Sequence, residues 1–384
     1  ESTYATDPSA TGSGYAAVPI EAPISWPTGG RATLETNYAI SRNRMTAGQP
    51  GADGGSISFK VALRGLLTAA GNGTNASAVA ADYLDRLLDS AFGTVRTTVG
   101  DDATAATAAN ITTTDNTFAI NDVLAVFATG ATTIQWRRTN ASTSPYTLDR
   151  NWTTTPVATN IAYGTKAYRG DTTNGSSLAA CVDIDGTIYR LLGCRPSSMK
   201  IVASPGQIAM LEVSLAYDSR ADDTAAKTNL GGTAGVIDEF AGTPVRALLS
   251  PMSWNGTAYA VGSIEIDFAI ASNPVGSTAG SNGRSDIEVA AAHPKITVKP
   301  LYATQFEIDF DAKTQGNLSI QFGSGVPSGG IVNACEFFSE GAEVLSEATE
   351  DDNNRLRKGV QFAARDAGIL TGTTVASYWQ LARA

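Results

Sequence analysis

Two pairs of carboxylates have the residue types and the spacing of a glycoside hydrolase centre. Glu265 and Asp267 lie two residues apart in an apolar segment, and Glu307 and Asp309 repeat this spacing in another. On a strand such spacing places both acids on one face, and two acids facing a groove are what glycoside hydrolysis needs. Carboxylates that alternate with apolar residues are far more often the solvated face of an amphipathic strand. We therefore interpret these four residues as surface positions.

A further acidic motif resembles a phosphatase element. Residues Val182-Asp183-Ile184-Asp185-Gly186-Thr187-Ile188 match the Asp-x-Asp-Gly-Thr element of haloacid-dehalogenase-like phosphatases. The resemblance implies that Asp183 attacks phosphorus, that Asp185 acts as acid and base, and that the carboxylates share a Mg²⁺ ion. The motif belongs in a parallel α/β domain with alternating helices, which the surrounding sequence does not predict. A type I′ turn at Asp185-Gly186, between strands at 180–184 and 187–192, explains the same residues as a hairpin.

Other catalytic and metal sites have few residues available to them. His293 is the one histidine of the chain, so a Ser-His-Asp or Cys-His arrangement depends on it alone, and a metal site built on histidine pairs is excluded. The three cysteines, Cys181, Cys194 and Cys335, are too few and too scattered for a disulfide framework, and we expect them to be small core residues. The sequence therefore predicts a protein that is not an enzyme, with no catalytic, cofactor-binding or metal-binding residue.

The elements that position these residues are predicted to be mostly β-strands. Residues 57–64 alternate with a period of two, and Ser58, Lys60 and Arg64 lie on the face opposite the apolar one. Further strands are predicted at 32–40, 122–128, 133–138, 199–217, 262–270, 295–299, 305–311 and 316–322. A chain with so many strand patterns is predicted to be mainly β.

One strong helix is predicted, over residues 76–92. Its apolar stripe has the spacing of a helix that covers a sheet, and Gly93 ends it. The stripe consists of Ala80, Tyr83, Leu84, Leu87, Leu88 and Ala91.

Three regions are predicted along the chain. Residues 1–100 hold the first strands and the helix, the Thr-rich segment 101–186 is an insertion or a loop-rich lobe, and 187–384 hold the remaining strands and could form a second sandwich. Within the last region, 272–284 is predicted to be a hairpin arm or a flexible loop. The acidic turn at 347–352 with the basic residues after it is interpreted as a solvated loop or a contact to a neighbouring copy.

Composition limits the classes of function. The chain has 384 residues, a hydrophobic fraction of 42%, a charged fraction of 17% and a formal net charge of −10. The hydrophobic fraction is ample for a core, whereas a general nucleic-acid binder would be basic. No apolar run approaches the roughly 20 residues that a membrane span needs, so we expect a soluble protein.

Several segments, taken in chain order, carry a resemblance to a known family. They are Glu1-Ser2-Thr3-Tyr4-Ala5-Thr6, Phe59-Lys60-Val61-Ala62-Leu63-Arg64-Gly65, the helix with Leu87-Leu88 and Phe92-Gly93, the run from Asp185-Gly186 to Gly193-Cys194-Arg195 with the strand at 206–217, and the run from Pro294-Lys295-Ile296-Thr297-Val298 to Gly316-Asn317-Leu318-Ser319-Ile320. In this order they resemble the tail tube proteins, or major tail proteins, of long-tailed, siphovirus-like bacteriophages.

This resemblance implies a fold, a function and partners. It implies β-sandwich halves with a flanking helix, whose inner strands close into one oligomeric β-barrel. Rings of six copies, or of three copies with two fused sandwiches each, would stack into a hollow virion tail tube that is assembled in the host cytoplasm. The implied partners are the chain itself, the tape measure protein, the tail terminator and the tail-tip proteins.

The resemblance also gives the acidic residues a use. Glu265, Asp267, Glu307 and Asp309 become candidate lumen or solvent-facing residues, which would repel phosphates so that double-stranded DNA is ejected without tight binding. No membrane is involved in this function.

Alternatives of other classes remain open from the sequence. One is a secreted or surface β-sandwich that binds a glycan or a protein, with Trp26, Trp136, Trp152 and Trp254 as stacking platforms. The Mg²⁺-dependent phosphatase is a more remote alternative. Another phage structural role, such as a capsid or decoration protein, is the nearest competitor.

Overall fold

The computed structural model describes most of the chain. The described residues are 18, 20–25, 33–34, 49–50, 54–66, 83–115, 118–158, 160–170, 175–184, 187–223, 252–276, 284–289, 292–300, 303–323, 332–352, 355–365 and 378–384. Parts of four predicted elements lie outside these residues: most of the strand at 32–40, the start of the helix at 76–92, the turn at Asp185-Gly186, and positions 277–283 of the arm or loop at 272–284.

Two helices and twenty-six strands make up the described fold. In the first half they are β1 (Ile20–Ser25), β2 (Thr33–Leu34), β3 (Gln49–Pro50), β4 (Gly55–Ala62), α1 (Tyr83–Phe92), β5 (Gly93–Thr97), β6 (Asp101–Ala106), β7 (Asn110–Thr113), β8 (Val123–Val126), β9 (Gln135–Arg138), β10 (Tyr146–Thr147), β11 (Ile161–Tyr163), β12 (Lys166–Gly170), β13 (Leu178–Ile184), β14 (Thr187–Ala203), β15 (Met210–Tyr217) and β16 (Ser219–Asp223). In the second half they are β17 (Met252–Trp254), β18 (Thr257–Tyr259), β19 (Val261–Asp267), β20 (Ser272–Gly276), β21 (Arg284–Val289), β22 (Lys295–Pro300), α2 (Gln305–Ala312), β23 (Gln315–Phe322), β24 (Cys335–Asp352), β25 (Arg355–Ala363) and β26 (Trp379–Arg383).

The prediction of a mainly β protein is confirmed, and every strand pair among the described residues is antiparallel. Eight strands form one continuous sheet in the order β1-β4-β15-β14-β19-β22-β25-β24, which we call the front sheet. A second run, β18-β17-β23-β24-β26-β12-β5, is called the back sheet. The long strand β24 belongs to both, since its first half pairs with β23 and β26 and its second half with β25.

One hydrophobic core joins the two sheets. Ile201 and Ile266 from the front sheet and Phe337 and Leu381 from the back sheet belong to the same buried cluster. Alternation explains this, because each strand turns one side chain in two toward the core. In β15 the pattern is regular, with Leu211, Val213, Leu215 and Tyr217 buried and the residues between them partly exposed.

The predicted helix is confirmed over the residues that the structure describes. Helix α1 buries Tyr83, Leu84, Leu87, Leu88 and Ala91, the predicted stripe apart from Ala80, which lies outside the described residues. The helix ends at Phe92, and Gly93 follows with φ of 72°. This left-handed conformation suits glycine because it has no Cβ.

We expect Gly93→Ala to lower the free energy of unfolding by about 1–2 kcal/mol, since the left-handed region costs a residue with a Cβ about that much. Equilibrium unfolding in urea measures the change. Gly276→Ala is the matched control, because Gly276 does not have a left-handed φ and its Cβ would meet nothing within 4 Å. A loss at Gly93 no larger than at Gly276 would contradict the explanation.

Residues 101–163 form a separate six-stranded sheet in the order β10-β7-β6-β11-β8-β9. A bridge between Thr139 and Leu148 joins the residues that follow β9 and β10, so the sheet closes on itself. It has its own core, which includes Ile111, Leu124 and Tyr146. We call this unit the inserted module. The predicted region 101–186 continues further, into β12 and β13 of the main fold, and its boundary with 187–384 falls inside the β13–β14 hairpin.

The inserted module covers the outer face of the back sheet. The Arg150 guanidinium donates a hydrogen bond of 2.7 Å to the Glu336 carboxylate and stacks 4.2 Å from the Phe338 ring centroid. Ser319 also hydrogen-bonds to Glu336, at 2.5 Å. Burial raises the pKa of Glu336, although the Arg150 charge opposes this shift. The module therefore lies on the side of the back sheet that faces away from the front sheet.

Two local predictions are wrong. The segment 305–311 was predicted to be a strand, but α2 is a helix whose buried residues, Phe306 and Asp309, have helical i, i+3 spacing. The acidic segment 347–352 is predicted to be a solvated loop or a contact to a neighbouring copy; the loop is wrong, because the segment is the second half of β24 and pairs with β25. Their register runs from Glu343 opposite Ala363 to Asp352 opposite Arg355.

Candidate functional site: the polar face of the front sheet

The front sheet turns one apolar face to the core and one polar face outward. Its inward residues include Val61, Leu211, Ile201, Ile266 and Ile296, all of which are buried. The side chains between them along the same strands point to the opposite side. We call that side the polar face, and it is the best candidate for a functional surface.

Strand register brings six charged residues into one row across this face, with alternating sign. Each residue lies opposite the next on the neighbouring strand, from β1 to β22. The row is Glu21, Lys60, Glu212, Lys200, Asp267 and Lys295. Because opposite charges lie directly across each strand pair, the row also favours this register.

Ion pairs join members of this row to each other and to Glu265. The Lys60 Nζ atom lies 2.6 Å from Glu212 Oε1, and the Lys200 Nζ atom lies 2.9 Å from Glu265 Oε1. The hydrogen bond that Lys60 donates to Glu212, followed by the negative charge of Glu212, raises the pKa of Lys60. The hydrogen bond to Glu265 likewise raises the pKa of Lys200 against the opposing effect of burial. Both amines are therefore held in the protonated form, which is not nucleophilic.

Small hydroxyl residues form a second row beside the charges. Ser25, Ser58, Ser214 and Ser198 lie opposite one another on β1, β4, β15 and β14. The Ser58 and Ser214 hydroxyl oxygens are 2.7 Å apart. A shallow depression of about 500 Å³ lies over these strands and also touches Lys60, Lys200 and Asp267. The polar face therefore carries an open depression here, with serine hydroxyls and charged side chains around it.

The structure brings two of the four predicted acidic residues to this face and separates the other two from it. Glu265 and Asp267 lie on β19, both partly exposed, and the Asp267 carboxylate accepts a 2.8 Å hydrogen bond from the Ala269 N–H. Glu307 and Asp309 lie on α2 instead. Glu307 pairs with the buried Lys358.

Asp309 is only 4% exposed, so it is not a solvent-facing residue of this chain. Its carboxylate accepts hydrogen bonds of 2.7 Å from Trp254 Nε1 and 2.9 Å from Gln305 Nε2. The physical reason is tertiary: a buried carboxylate is tolerated where donors satisfy it, and alternation in the sequence does not show such donors.

Sequence reasoning missed the basic half of the face. Lys200 and Lys295 were not singled out, and Glu21 was not considered. Lys60 was placed correctly on the polar side of its strand, whereas Arg64 is only 6% exposed. Each lysine occupies an outward position in an alternating strand, which was the available signal. That they alternate with carboxylates depends on the register between strands distant in sequence, which no single segment reveals.

The other sequence candidates have structural environments of their own. Asp183 lies in β13, which pairs with β14 from Leu178↔Cys194 to Ile184↔Thr187, so the described residues of the phosphatase-like motif lie on two antiparallel strands. His293 is exposed, and its Nδ1 atom lies 2.6 Å from the Tyr378 hydroxyl. Cys194 and Cys335 are buried as expected, whereas Cys181 is partly exposed.

The tryptophans do not form a stacking platform in the described chain. Trp136, Trp152 and Trp254 are 2%, 6% and 1% exposed, so these three do not provide the stacking platforms of the glycan-binding alternative. They pack in the inserted module and the main core. Trp26 lies outside the described residues.

No described helix has the length and apolar character needed to cross a membrane. The sequence matches no protein-family model and no curated protein.

Proposed function

We propose that this chain is a structural protein of a bacteriophage tail, which self-assembles into rings that stack into the hollow tail tube. In this proposal the two sheets form β-sandwich halves flanked by α1 and α2, and the polar face lines the lumen through which double-stranded DNA is ejected. The location is the virion, after assembly in the host cytoplasm. The partners are further copies of the chain, the tape measure protein, the tail terminator and the tail-tip proteins.

The observation that carries this proposal is the charge balance along the charge row of the polar face. This row together with Glu265 holds four carboxylates and three lysines: Glu21, Glu212, Glu265, Asp267, Lys60, Lys200 and Lys295. DNA affinity arises mainly from lysines and arginines that neutralise phosphates. Here Lys60 and Lys200 already form ion pairs with carboxylates. A DNA phosphate that replaced one of these carboxylates would therefore gain little binding energy. Such a surface suits a conduit along which DNA slides.

This revises the acidic lumen expected from the sequence. Repulsion by carboxylates alone would also keep a duplex centred, but it would raise the energy of a closely packed phosphate chain. A nearly neutral lining neither holds nor expels the duplex. The lining proposed here therefore consists of paired charges and serine hydroxyls, and it includes Glu265 and Asp267 but not Glu307 or Asp309.

Negative-stain electron microscopy across a concentration series tests the assembly. We expect hollow tubes or stacked rings whose opening is wider than a DNA duplex. Protein that remains monomeric at every concentration, including in the presence of preformed tail-tip complexes as initiators, would overturn the proposal.

Reversing two carboxylates should turn the lining into a DNA-binding surface. In the double variant Glu265→Lys/Asp267→Lys the summed charge of the seven face residues changes from −1 to +3. We expect it to retain a short DNA duplex in a gel-shift assay at about 50 mM salt and to release it as salt rises, because bound phosphates release counterions. The wild-type protein should not retain the duplex.

The matched control is Asp115→Lys/Asp311→Lys, which makes the same change in net charge at two exposed positions outside the polar face. We expect this control to bind the duplex less tightly than the face variant. Equal retention by both variants would show that overall charge, and not the polar face, determines contact with DNA.

A further inference from the structure

The main fold repeats one arrangement of strands twice. The first unit consists of β1, β4, α1, β13, β14, β15 and β16, and the second consists of β19, β22, α2, β23, β24, β25 and β26. In each unit the elements follow the same order along the chain. The pair β2 and β3, the inserted module with β5 and β12, the pair β17 and β18, and the pair β20 and β21 interrupt this order without changing it.

The pairings of the two units correspond one to one. β1 pairs with β4 as β19 pairs with β22, β4 with β15 as β22 with β25, and β15 with β14 as β25 with β24. The first halves of β14 and β24 are flanked in the same way, by β13 and β16 in one unit and by β23 and β26 in the other. Each unit therefore contributes four strands to the front sheet.

The chain itself shows how two such units join. In the order of the front sheet, β14 is the last strand of the first unit and β19 is the first strand of the second. The second half of β14 pairs with β19. The paired residues run from Lys200↔Asp267 to Ala203↔Ile264, and the polar face continues across the junction without a break.

The two outer strands of the front sheet, β1 and β24, are the counterparts of the two strands that pair at this junction. Among the described residues, β1 pairs only with β4, and residues 344–352 of β24 pair only with β25. β24 is the counterpart of β14, and β1 is the counterpart of β19. The outer edge of β24 therefore corresponds to the edge of β14 that pairs with β19. The strand β1 corresponds to β19, the partner at that edge.

We propose that β24 of one copy pairs antiparallel with β1 of the next, reproducing the β14–β19 junction between copies, and that three copies close the ring. This inference rests on the proposed function for its closed geometry. Three copies supply six units and twenty-four front-sheet strands. At about 4.8 Å between strands and a tilt of about 40°, such a ring is roughly 45–50 Å across between backbones. Side chains narrow the opening by about 10 Å in total, which leaves it wider than a DNA duplex.

The pairing also explains the two edges of the front sheet that no described strand covers. A long strand edge with unpaired backbone groups promotes aggregation, and proteins usually cover such edges. In a closed ring both edges of every copy are covered, since its β24 pairs with β1 of one neighbour and its β1 pairs with β24 of the other. The contact is therefore head-to-tail, and it closes only when rotation between neighbours completes a ring.

Paired cysteines test the junction in the full-length chain. One cysteine is placed on the outward side of β24, at Ser346 or Ala348, and one on the outward side of β1, at Glu21 or Ser25, which gives four double variants. After mild oxidation of assembled protein, at least one variant should form disulfide-linked species up to three copies on a non-reducing gel. Native mass spectrometry of the ring should give about 119 kDa, three times the chain mass of 39.7 kDa.

Two controls exclude other sources of cross-linking. Wild-type protein reports on the native cysteines, of which Cys181 alone is partly exposed. The variant Ser25→Cys/Ala258→Cys keeps one cysteine on β1 and places the other on β18, the terminal strand of the back sheet. No junction is proposed at β18, so this variant should give no linked species.

The outcomes separate this inference from the proposed function. Tubes that form without any β24–β1 cross-link, or rings of six copies, overturn the inference and leave the tube proposal standing. Cross-linked rings of three copies that never stack support the junction and contradict the tube. Protein that neither cross-links nor assembles contradicts both.

Discussion

Replacing Asp85 by asparagine is expected to lower the free energy of unfolding by about 3–5 kcal/mol, the loss that follows removal of one partner from a buried ion pair. Asp85 lies on α1 and is 6% exposed. Its carboxylate contacts the Lys166 ammonium and the Tyr168 hydroxyl, and the Arg383 guanidinium lies 3.8 Å away. The cluster links α1 to β12 and β26 of the back sheet, so its loss weakens the packing of the helix on that sheet.

The size of this effect follows from the charges that remain. Without the Asp85 carboxylate, the buried ammonium of Lys166 loses its closest counter-charge, while Arg383 keeps hydrogen bonds of 2.9 Å to the carbonyls of Arg64 and Gly65. Burial raises the pKa of Tyr168 well above its usual value, so its hydroxyl stays protonated and cannot replace the missing anion.

Chemical denaturation at neutral pH measures the Asp85 effect. Asp311→Asn on α2 is the control, since Asp311 is exposed and its change should stay within about 0.5 kcal/mol. A loss below about 1 kcal/mol in Asp85→Asn would mean that water or other groups compensate the buried cations.

Truncating Trp379 to alanine is expected to cost about 3–5 kcal/mol as well, here through a cavity. Trp379 is 1% exposed. Its ring centroid lies 4.9 Å from that of Phe92, 5.3 Å from Phe268 and 6.1 Å from Phe337. These rings come from α1, the end of β19 and β24, so one side chain packs against the helix and both sheets.

The variant Trp379→Phe separates packing from hydrogen bonding. It keeps an aromatic ring but loses the 3.3 Å hydrogen bond from Trp379 Nε1 to the Ala292 carbonyl, a contribution of about 1 kcal/mol. We expect it to be clearly more stable than the alanine variant in urea unfolding. Phe310→Ala, at a ring that is 40% exposed, should change stability little. Equal losses in both Trp379 variants would contradict the cavity explanation.

Local patterns predicted the elements whose burial is regular. The period of two extends over six or more residues in β4 and β19. The helical period extends over at least two turns in α1. Period and core face then coincide, because burial on one side is what imposes the pattern.

Prediction failed where a distant residue determined the outcome. Segment 305–311 alternates well enough for a strand, yet Trp254 supplies the donor that lets Asp309 face inward from a helix. Ile308, at 57% exposure, is the apolar residue left outside by that choice. The charge row depends on distant residues in the same way. Lys200 belongs to the row because Glu212 and Asp267 lie opposite it on the two neighbouring strands.

The inserted module enters and leaves the main fold at nearly one point, because Asp101 at its start lies opposite Ala162 near its end. Evolution can therefore enlarge, exchange or delete it without shifting the register of any strand in the front sheet. The condition is that any replacement still shields Glu336 and Phe338 from water. The inserted module can thus vary in sequence and size, and foreign domains can be displayed on it, while the polar face of the front sheet stays under separate selection.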